Sequence, residues 1–225
     1  MATYIFPDSN NPTPDITDKV SPLMNQLLAA RGINDTETAN AFLEPNYETQ
    51  LHAPELLNGI ADASERIEMA MKNNEKIAIF SDYDCDGIPG AVVLHDFFKA
   101  IKYQHFKNYI PHRHFEGFGL SEKAIDSLKT EGVTLMITID CGTSNVAEVA
   151  YAKKQGVDII ITDHHEPGKV LPAAVAVINP KLGGYPFPDL CGTAVVFKLA
   201  QAMLNRGSYE VPEGKEKWWL DMVGI

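Results

Sequence analysis

No run of apolar residues in this chain approaches the ~20 needed to cross a bilayer, so a membrane-spanning helix is not expected. The N-terminus, Met1-Ala2-Thr3-Tyr4-Ile5-Phe6-Pro7-Asp8, lacks a basic segment and a following apolar segment, and a secretory leader is not expected either. Cysteine is scarce. Cys85, Cys141 and Cys191 are odd in number and far apart, and they supply neither a disulfide framework nor a CxxC zinc pattern. A reducing cytoplasm is the expected location. Basic charge is also short: 19 Lys and Arg against 30 Asp and Glu leave a net charge of −11. That argues against a general electrostatic grip on nucleic-acid phosphates. It leaves room for a nucleic-acid substrate held locally, where divalent cations offset clustered acids or a separate basic domain supplies the grip. Internal repeats and low-complexity tracts are absent too.

What is present is an ordinary globular composition, 45% apolar and 22% charged over 225 residues. That length suits one large domain, or one domain with an attached subdomain. Residues 1–20 read as an extended arm. Ser21-Pro22 reads as a helix start and Gly32 as its stop, with Leu23, Leu27 and Leu28 at helical spacing. Asn34 or Asp35 is placed to cap a second short helix through Phe42-Leu43, and Pro45 to Gly59 reads as irregular. Asp62 to Lys72 is amphipathic. From residue 76 the pattern becomes alternating strand and helix. Strands fit 76–81, 106–110, 134–139, 157–162 and 174–178; helices fit 88–101, 121–130, 144–155 and 191–205. Short β-branched strands between helices predict an α/β fold: a doubly wound, mainly parallel five-stranded sheet with an N-terminal helical extension. The expected division is 1–75 for arm and extension and 76–225 for the sheet domain. The end, Lys217 to Ile225, is apolar, carries no stop signal and reads as an interrupted element.

Three of the strands deliver acids or histidines at one edge. Lys76 to Phe80 runs into Ser81-Asp82-Tyr83-Asp84-Cys85-Asp86-Gly87. Leu135 to Ile139 runs into Asp140-Cys141-Gly142, and Val157 to Thr162 into Asp163-His164-His165. In open α/β sheets, ligands bind beyond the carboxyl ends of the strands. Asp82, Asp84 and Asp86 alternate along a stretch read as extended, and carboxylates on one face repel unless a cation intervenes. An Asp-rich turn is the simpler account of that segment alone. An EF-hand fits poorly, because the twelfth position counted from Asp82 is Val93 rather than Glu. Asp140 alone would pass for a helix-initiating acid, with Thr143 or Ser144 as the cap of the next helix. Together the clusters hold enough carboxylate and imidazole for two divalent ions, with Mn²⁺ suited at least as well as Mg²⁺. After the second strand, Arg113 offers a planar fork for a phosphate, flanked by His112 and His114, which read as surface or supporting groups. Gly117 and Gly119 permit close backbone approach, and Ser121 is placed to cap the following helix. Cys191-Gly192-Thr193-Ala194 reads as a closely packed helix start, the cysteines as small fillers, and Trp218-Trp219 as part of a helix packed onto the sheet.

In this order the residues resemble the DHH phosphoesterase superfamily, which is known by the tripeptide found at Asp163-His164-His165. They are most similar to the RecJ-type single-strand-specific exonucleases of bacteria. The resemblance spans nearly the whole chain, from Leu27-Leu28-Ala29-Ala30-Arg31-Gly32-Ile33 and Phe42-Leu43-Glu44-Pro45 to Ile178-Asn179-Pro180 and Cys191-Gly192-Thr193-Ala194. It implies that Asp82, Asp84, Asp140 and His164 coordinate Mn²⁺ or Mg²⁺, with two ions in the full-length protein. It implies that His165 lies beside the scissile phosphate and that Arg113 holds it, so that Asp84, Asp140 and His165 form the catalytic set. The implied reaction is hydrolysis by metal-activated water, 5′ to 3′ along single-stranded DNA, in DNA repair and recombination. The implied partners are single-stranded DNA and a single-strand-binding protein or helicase, and no membrane.

The chain departs from the family pattern at Cys85, where a small Ala or Val is usual, and at Ile88-Pro89-Gly90, where a Thr or Ser is common. His112 stands in place of the more usual Asn. The resemblance also implies a further metal-binding Asp beyond Ile225, with Asp221 a poor substitute, so low activity is expected of this chain alone. Two other functions are compatible with the resemblance: a small-substrate phosphoesterase acting on oligonucleotides or cyclic dinucleotides, and a scaffold without activity. The Asp82-Tyr83-Asp84 form and the absence of a His between Lys76 and Ser81 favour the exonuclease.

Overall fold

A computed structural model describes residues 15–207 and 209–224. The chain divides into two compact units, one ending at His52 and the other beginning at Ala53.

The first unit is helical: α1 (Pro22–Ala30), α2 (Thr36–Leu43) and α3 (Tyr47–Gln50). Ser21 and Asp35 cap the first two helices, Ser21 Oγ accepting from the Met24 amide and Asp35 Oδ1 from the Thr38 amide at 2.8 Å. Ile16, Leu28, Ile33 and Ala39 form its small core, while Leu23 and Leu27 stay exposed. The segment read as irregular contains α3 and a single 3-10 turn at Pro54–Leu56.

The second unit holds α4 (Ile60–Lys72), β1 (Lys76–Ser81), α5 (Gly87–Ala100), β2 (Phe106–Tyr109), α6 (Glu122–Thr130), β3 (Val133–Ile139), α7 (Val146–Lys154), β4 (Asp158–Thr162), β5 (Ala176–Ile178), α8 (Gly192–Asn205) and α9 (Lys215–Val223). All strand pairings are parallel, in the order β2-β1-β3-β4-β5. The inner strands β1, β3 and β4 are mostly apolar because helices cover both faces, whereas the edge strand β2, Phe106-Lys107-Asn108-Tyr109, is half polar and only partly buried. α6 and α7 bury Ala78, Phe80, Met136, Ile159 and Ile161 on one face. α5 and α8 lie on the other, packed against each other and on the central strands. Gly90 makes the α5 approach possible, since a Cβ there would lie 2.7 Å from Ile139 Cγ2.

α9 corrects one expectation. It packs on α5 and α8, in the helix layer rather than on the sheet. Trp219 is fully buried there, 6.0 Å from the Phe97 ring, with its Nε1 donating to Asp96 Oδ2 at 2.7 Å. The cap of α7 is also not as expected. Asn145 occupies the N-cap position without a side-chain bond, while the Thr143 hydroxyl accepts from Asn179 Nδ2 at 3.3 Å instead of capping the helix.

The connection from β1 leads outward to β2, and that from β3 leads the other way to β4. The chain therefore reverses direction between β1 and β3. A crevice opens at the carboxyl ends of the strands at such a reversal.

Candidate metal centre

The strands end in register. Ser81 pairs with Ile139, Ile139 with Thr162, and Thr162 with Ile178. One residue further on, the Asp82 amide donates to Ile139 O, the Asp140 amide to Thr162 O and the Asp163 amide to Ile178 O, at 3.1, 2.9 and 3.0 Å. Asp82, Asp140, Asp163 and Asn179 thus form one row at the reversal point, each the first residue beyond its strand. All four are buried.

Beyond β1 the chain leaves the extended conformation that the alternation of acids suggested and takes the Asp-rich turn that was the simpler account of the segment. Asp84 Oδ1 accepts from the Asp86 and Gly87 amides at 3.3 and 3.0 Å and winds the segment into a turn. Gly87 permits that turn, since a Cβ there would lie 2.6 Å from the Asp82 carbonyl oxygen. Asp86 thereby turns towards the start of α8 while its carboxylate stays beside Asp84 and Asp140. Its Oδ2 accepts from the Gly192 amide at 2.7 Å and its carbonyl from Thr193 Oγ1 at 2.7 Å, so the start of α8 holds it.

Asp140 has φ +59°, a left-handed conformation that a non-glycine residue rarely adopts and that costs about 1–3 kcal/mol. Only 1% of it is exposed. Gly192 makes room for it: a Cβ at that position would lie 2.7 Å from both Asp140 Cβ and Oδ1. Gly192→Ala is accordingly expected to displace Asp140. We expect a loss of about 1–3 kcal/mol of stability from overpacking, together with weaker Mn²⁺ binding. Thermal melting and calorimetric titration of the variant test this.

The donor atoms gather into two clusters, within each of which they lie no more than 4.8 Å apart. One is Asp82, Asp84 and Asp140, the other Asp140, His164 and His165, with Asp140 shared. His164 Nε2 lies 3.1 Å from Asp140 Oδ1 and 3.4 Å from Asp86 Oδ2. Both Asp140 carboxylate oxygens and Asp82 Oδ1 are buried without a hydrogen-bond donor. Burial pushes the Asp140 carboxyl up to about 10, and the neighbouring Asp86 and Asp84 add to the rise. Burial raises Asp82 as well. At Asp84 burial acts in the same sense but is outweighed by hydrogen bonds, led by the Gly87 amide, and the group is held below the usual carboxylate range. A hard divalent cation between the clusters would give the orphaned oxygens a partner and let the acids ionise together. The donor set fits such an ion.

Asp163 is not a further ligand. It is the hub that orients the histidines. Its Oδ2 accepts from the Thr143 amide at 2.8 Å, and its Oδ1 from the amides of His164 and His165 at 2.8 and 3.2 Å. His165 Nδ1 lies 2.8 Å from the same Oδ1. Burial raises the Asp163 carboxyl most strongly, yet the bonds from Thr143 and His165 together hold it below its ordinary range. An ionised Asp163 only accepts, so His165 Nδ1 carries the proton and Nε2 is left free to face a substrate. Asn179 steadies the same segment, its Nδ2 donating to His165 O at 2.9 Å.

Arg113 is exposed, its guanidinium 4.4 Å above the ring of Tyr83 and near enough to Asp82 to oppose the rise in that carboxyl. His112 and His114 are exposed, and Ser121 caps α6 as expected. Cys85 is exposed rather than a filler; Cys141 is buried and Cys191 partly so.

Sequence reasoning grouped Asp86 and Asp163 with the strand-end acids and read Gly192 as a close-packing residue, but it gave none of them, nor Asn179 or Tyr83, the particular contact found here. The available signals were the third acid before Gly87, the acid that opens the Asp-His-His tripeptide, and the Asn directly beyond the fifth strand.

Residues 76–224 match the DHH family, N-terminal domain. The chain belongs to the DHH family. Among its DHH relatives, the single-stranded-DNA-specific exonuclease RecJ of Bacillus subtilis (strain 168) is 43% identical over 189 residues, covering 83% of this chain and 24% of the relative. The RecJ of Salmonella typhimurium is 34% identical over 193 residues, covering 85% of this chain and 33% of the relative. The chain therefore spans about a quarter to a third of the length of these relatives. A crystal structure of exonuclease RecJ bound to manganese superposes with a TM-score of 0.63 at 32% identity, over 74% of this chain and 42% of that one. RecJ from Thermus thermophilus in complex with Mn²⁺ superposes with a TM-score of 0.70 at 26% identity, over 91% of this chain and 28% of that one. No helix among the described residues is long and apolar enough to cross a membrane.

Proposed function

We propose that this chain carries the phosphodiester-hydrolysing site of a single-stranded-DNA exonuclease that depends on Mn²⁺ or Mg²⁺. The observation that carries the reading is the buried Asp140 carboxylate, shared between an acid cluster and a histidine cluster at the reversal point of the sheet, with His164 Nε2 3.1 Å away. The similarity to RecJ exonucleases over most of the chain supports the same substrate class.

In this reading Asp82, Asp84, Asp140 and His164 would hold the metal. A divalent cation there would supply an activated water and offset charge on a phosphoryl oxygen. The protein's own groups do the rest. Asp163 fixes the His165 tautomer, so that Nε2 meets the scissile phosphate and takes part in proton transfer to or from it. Arg113, pre-set on Tyr83, clamps a non-bridging phosphate oxygen pair through its planar fork. Burial of the row Asp82-Asp140-Asp163 keeps these electrostatic contacts in a low-dielectric setting, where they are strongest.

The net charge of −11 leaves general strand binding to other surfaces. Removal of nucleotides from a 5′ end, and cooperation with a helicase or single-strand-binding protein that presents the strand, belong to the reading through the family resemblance alone. The three free cysteines agree with a reducing cytoplasm. We retain 76–225 as the catalytic domain and 1–75 as its extension; the family match over 76–224 supports the boundary at Lys76, while residues 53–75, with α4, pack in the same compact unit as the sheet.

The test is digestion of a long single strand labelled at one end, with Mn²⁺ supplied. Release of labelled mononucleotide from the 5′ end, slow or absent on duplex DNA, is the expected result. Hydrolysis confined to dinucleotides, or none at all with metal bound, would contradict the reading.

A further inference from the structure

The loop that carries Arg113 is exposed, and its backbone forms a single turn. The amides of Phe115 and Glu116 both donate to His112 O, at 3.0 and 2.9 Å. One turn of this kind is marginal on its own. Glu116 ties it down at two points. The hydroxyl of Tyr109 donates to Glu116 Oε1, and the His112 amide donates to Glu116 Oε2 at 2.8 Å. Tyr109 is the last residue of β2, and its ring stacks on that of Phe80 at 5.4 Å and 14°. Phe80 is fully buried in β1, two residues before Asp82. A rigid line therefore runs from the sheet core through Phe80, Tyr109 and Glu116 to the turn in which Arg113 lies. The turn makes a second contact with the site through Arg113 on Tyr83, between Asp82 and Asp84.

We propose that Glu116 is a positioning residue: by joining the Tyr109 hydroxyl to the His112 amide, its carboxylate holds the 112–116 turn so that Arg113 stands beside the metal cleft. This inference rests on the reading of Arg113 as the residue that holds the substrate phosphate. The protonation states suit the task. Burial and the Glu116 carboxylate push the Tyr109 hydroxyl up to about 12, so it remains a donor. The His112 amide and Tyr109 hold Glu116 below its ordinary range, so it remains an ionised acceptor. Hydrogen bonds to an ionised acceptor are the stronger kind. Glu116 touches neither the acids nor the histidines of the site, so its effect on the reaction runs through Arg113.

The experiment is steady-state cleavage of single-stranded DNA by Glu116→Ala, Glu116→Gln, Tyr109→Phe and Arg113→Ala, with the double variant Glu116→Ala/Arg113→Ala. It is paired with Mn²⁺ titration and amide hydrogen exchange over residues 112–116. Glu116→Ala is expected to raise KM about tenfold, the worth of one charge-assisted hydrogen bond, with little change in kcat. Tyr109→Phe should move KM the same way by less, and Glu116→Gln should recover part of the loss. The double variant should be no worse than Arg113→Ala, since coupled residues do not add. Mn²⁺ affinity should be unchanged and exchange in the turn faster. Additive losses in the double variant, or Mn²⁺ affinity falling alongside KM, would overturn the proposal. If the wild type does not cleave DNA, the proposed function fails by itself and the exchange arm still decides. Unchanged protection of the turn in Tyr109→Phe, a variant that keeps the Phe80 stack, overturns the positioning role even if Glu116→Ala does not fold.

Discussion

Replacing Asp140 with Asn is expected to stabilise the metal-free protein while removing both its response to Mn²⁺ and its hydrolytic activity. Asn keeps the shape of the side chain and tolerates the left-handed backbone at φ +59° better than most residues. Its amide can also donate to neighbouring carboxylates such as Asp84, which accept but cannot donate. Relief of a buried, unpartnered group of this kind is worth about 1–3 kcal/mol. The pH dependence gives the sign. The folded-state value for Asp140 is raised from 3.8 to about 10. Its contribution to stability is therefore complete below about pH 4 and is lost progressively as pH rises towards 10, because the folded form binds the proton that the unfolded form has released. In chelator, the wild type should lose stability relative to Asp140→Asn as pH increases. Urea unfolding at several pH values measures the gap. On the catalytic side, metal at the site is worth several kcal/mol of transition-state stabilisation, so cleavage should fall on the order of 10³-fold.

Asp163→Asn should produce the second large effect, with the opposite sign on stability. Four donors converge on this buried carboxylate: the amides of Thr143, His164 and His165, and His165 Nδ1. Asn offers one acceptor oxygen where the carboxylate has two, and its NH₂ faces other donors. At least one buried amide loses its partner, at a cost of about 1–3 kcal/mol, and more if the hub loosens. The folded-state value for Asp163 is lowered. Its stabilisation is thus present above the unfolded value and lost as pH falls through the folded one, so the variant gap should close under acid conditions. The tautomer of His165 is no longer enforced, and cleavage should fall about 10²–10⁴-fold, the range for a misheld general acid or base. Mn²⁺ affinity should fall much less than in Asp140→Asn. The two variants therefore separate metal holding from imidazole orientation.

The sheet was legible because its strands are buried on both faces. Such strands read as unbroken apolar runs, and the acids that end them stand out. The row Asp82, Asp140, Asp163 follows directly from where those runs stop. What the residues alone could not show is set by contacts distant in sequence. The turn at 82–87 was readable as an alternative to a strand, but the capture of Asp86 by Gly192, more than a hundred residues away, was not. Thr143 looked like a helix cap, yet its hydroxyl accepts from Asn179 and its amide donates to Asp163, both distant in sequence. Asp163 itself was overshadowed by the two histidines beside it, since one letter pattern does not separate a ligand from the group that aims it. β5 is shorter than its apolar stretch suggested, three residues at the edge of the sheet where pairing stops.

The central claim is that Asp140 is the shared point of a divalent-cation site assembled from three strand ends. The most direct measurement is an anomalous difference map at the manganese edge from crystals grown with Mn²⁺. The account predicts density bound directly by Asp140 and His164, with a second peak towards Asp82 and Asp84 when both positions fill. Full Mn²⁺ occupancy elsewhere on the molecule, with Asp140 uncoordinated, would contradict it.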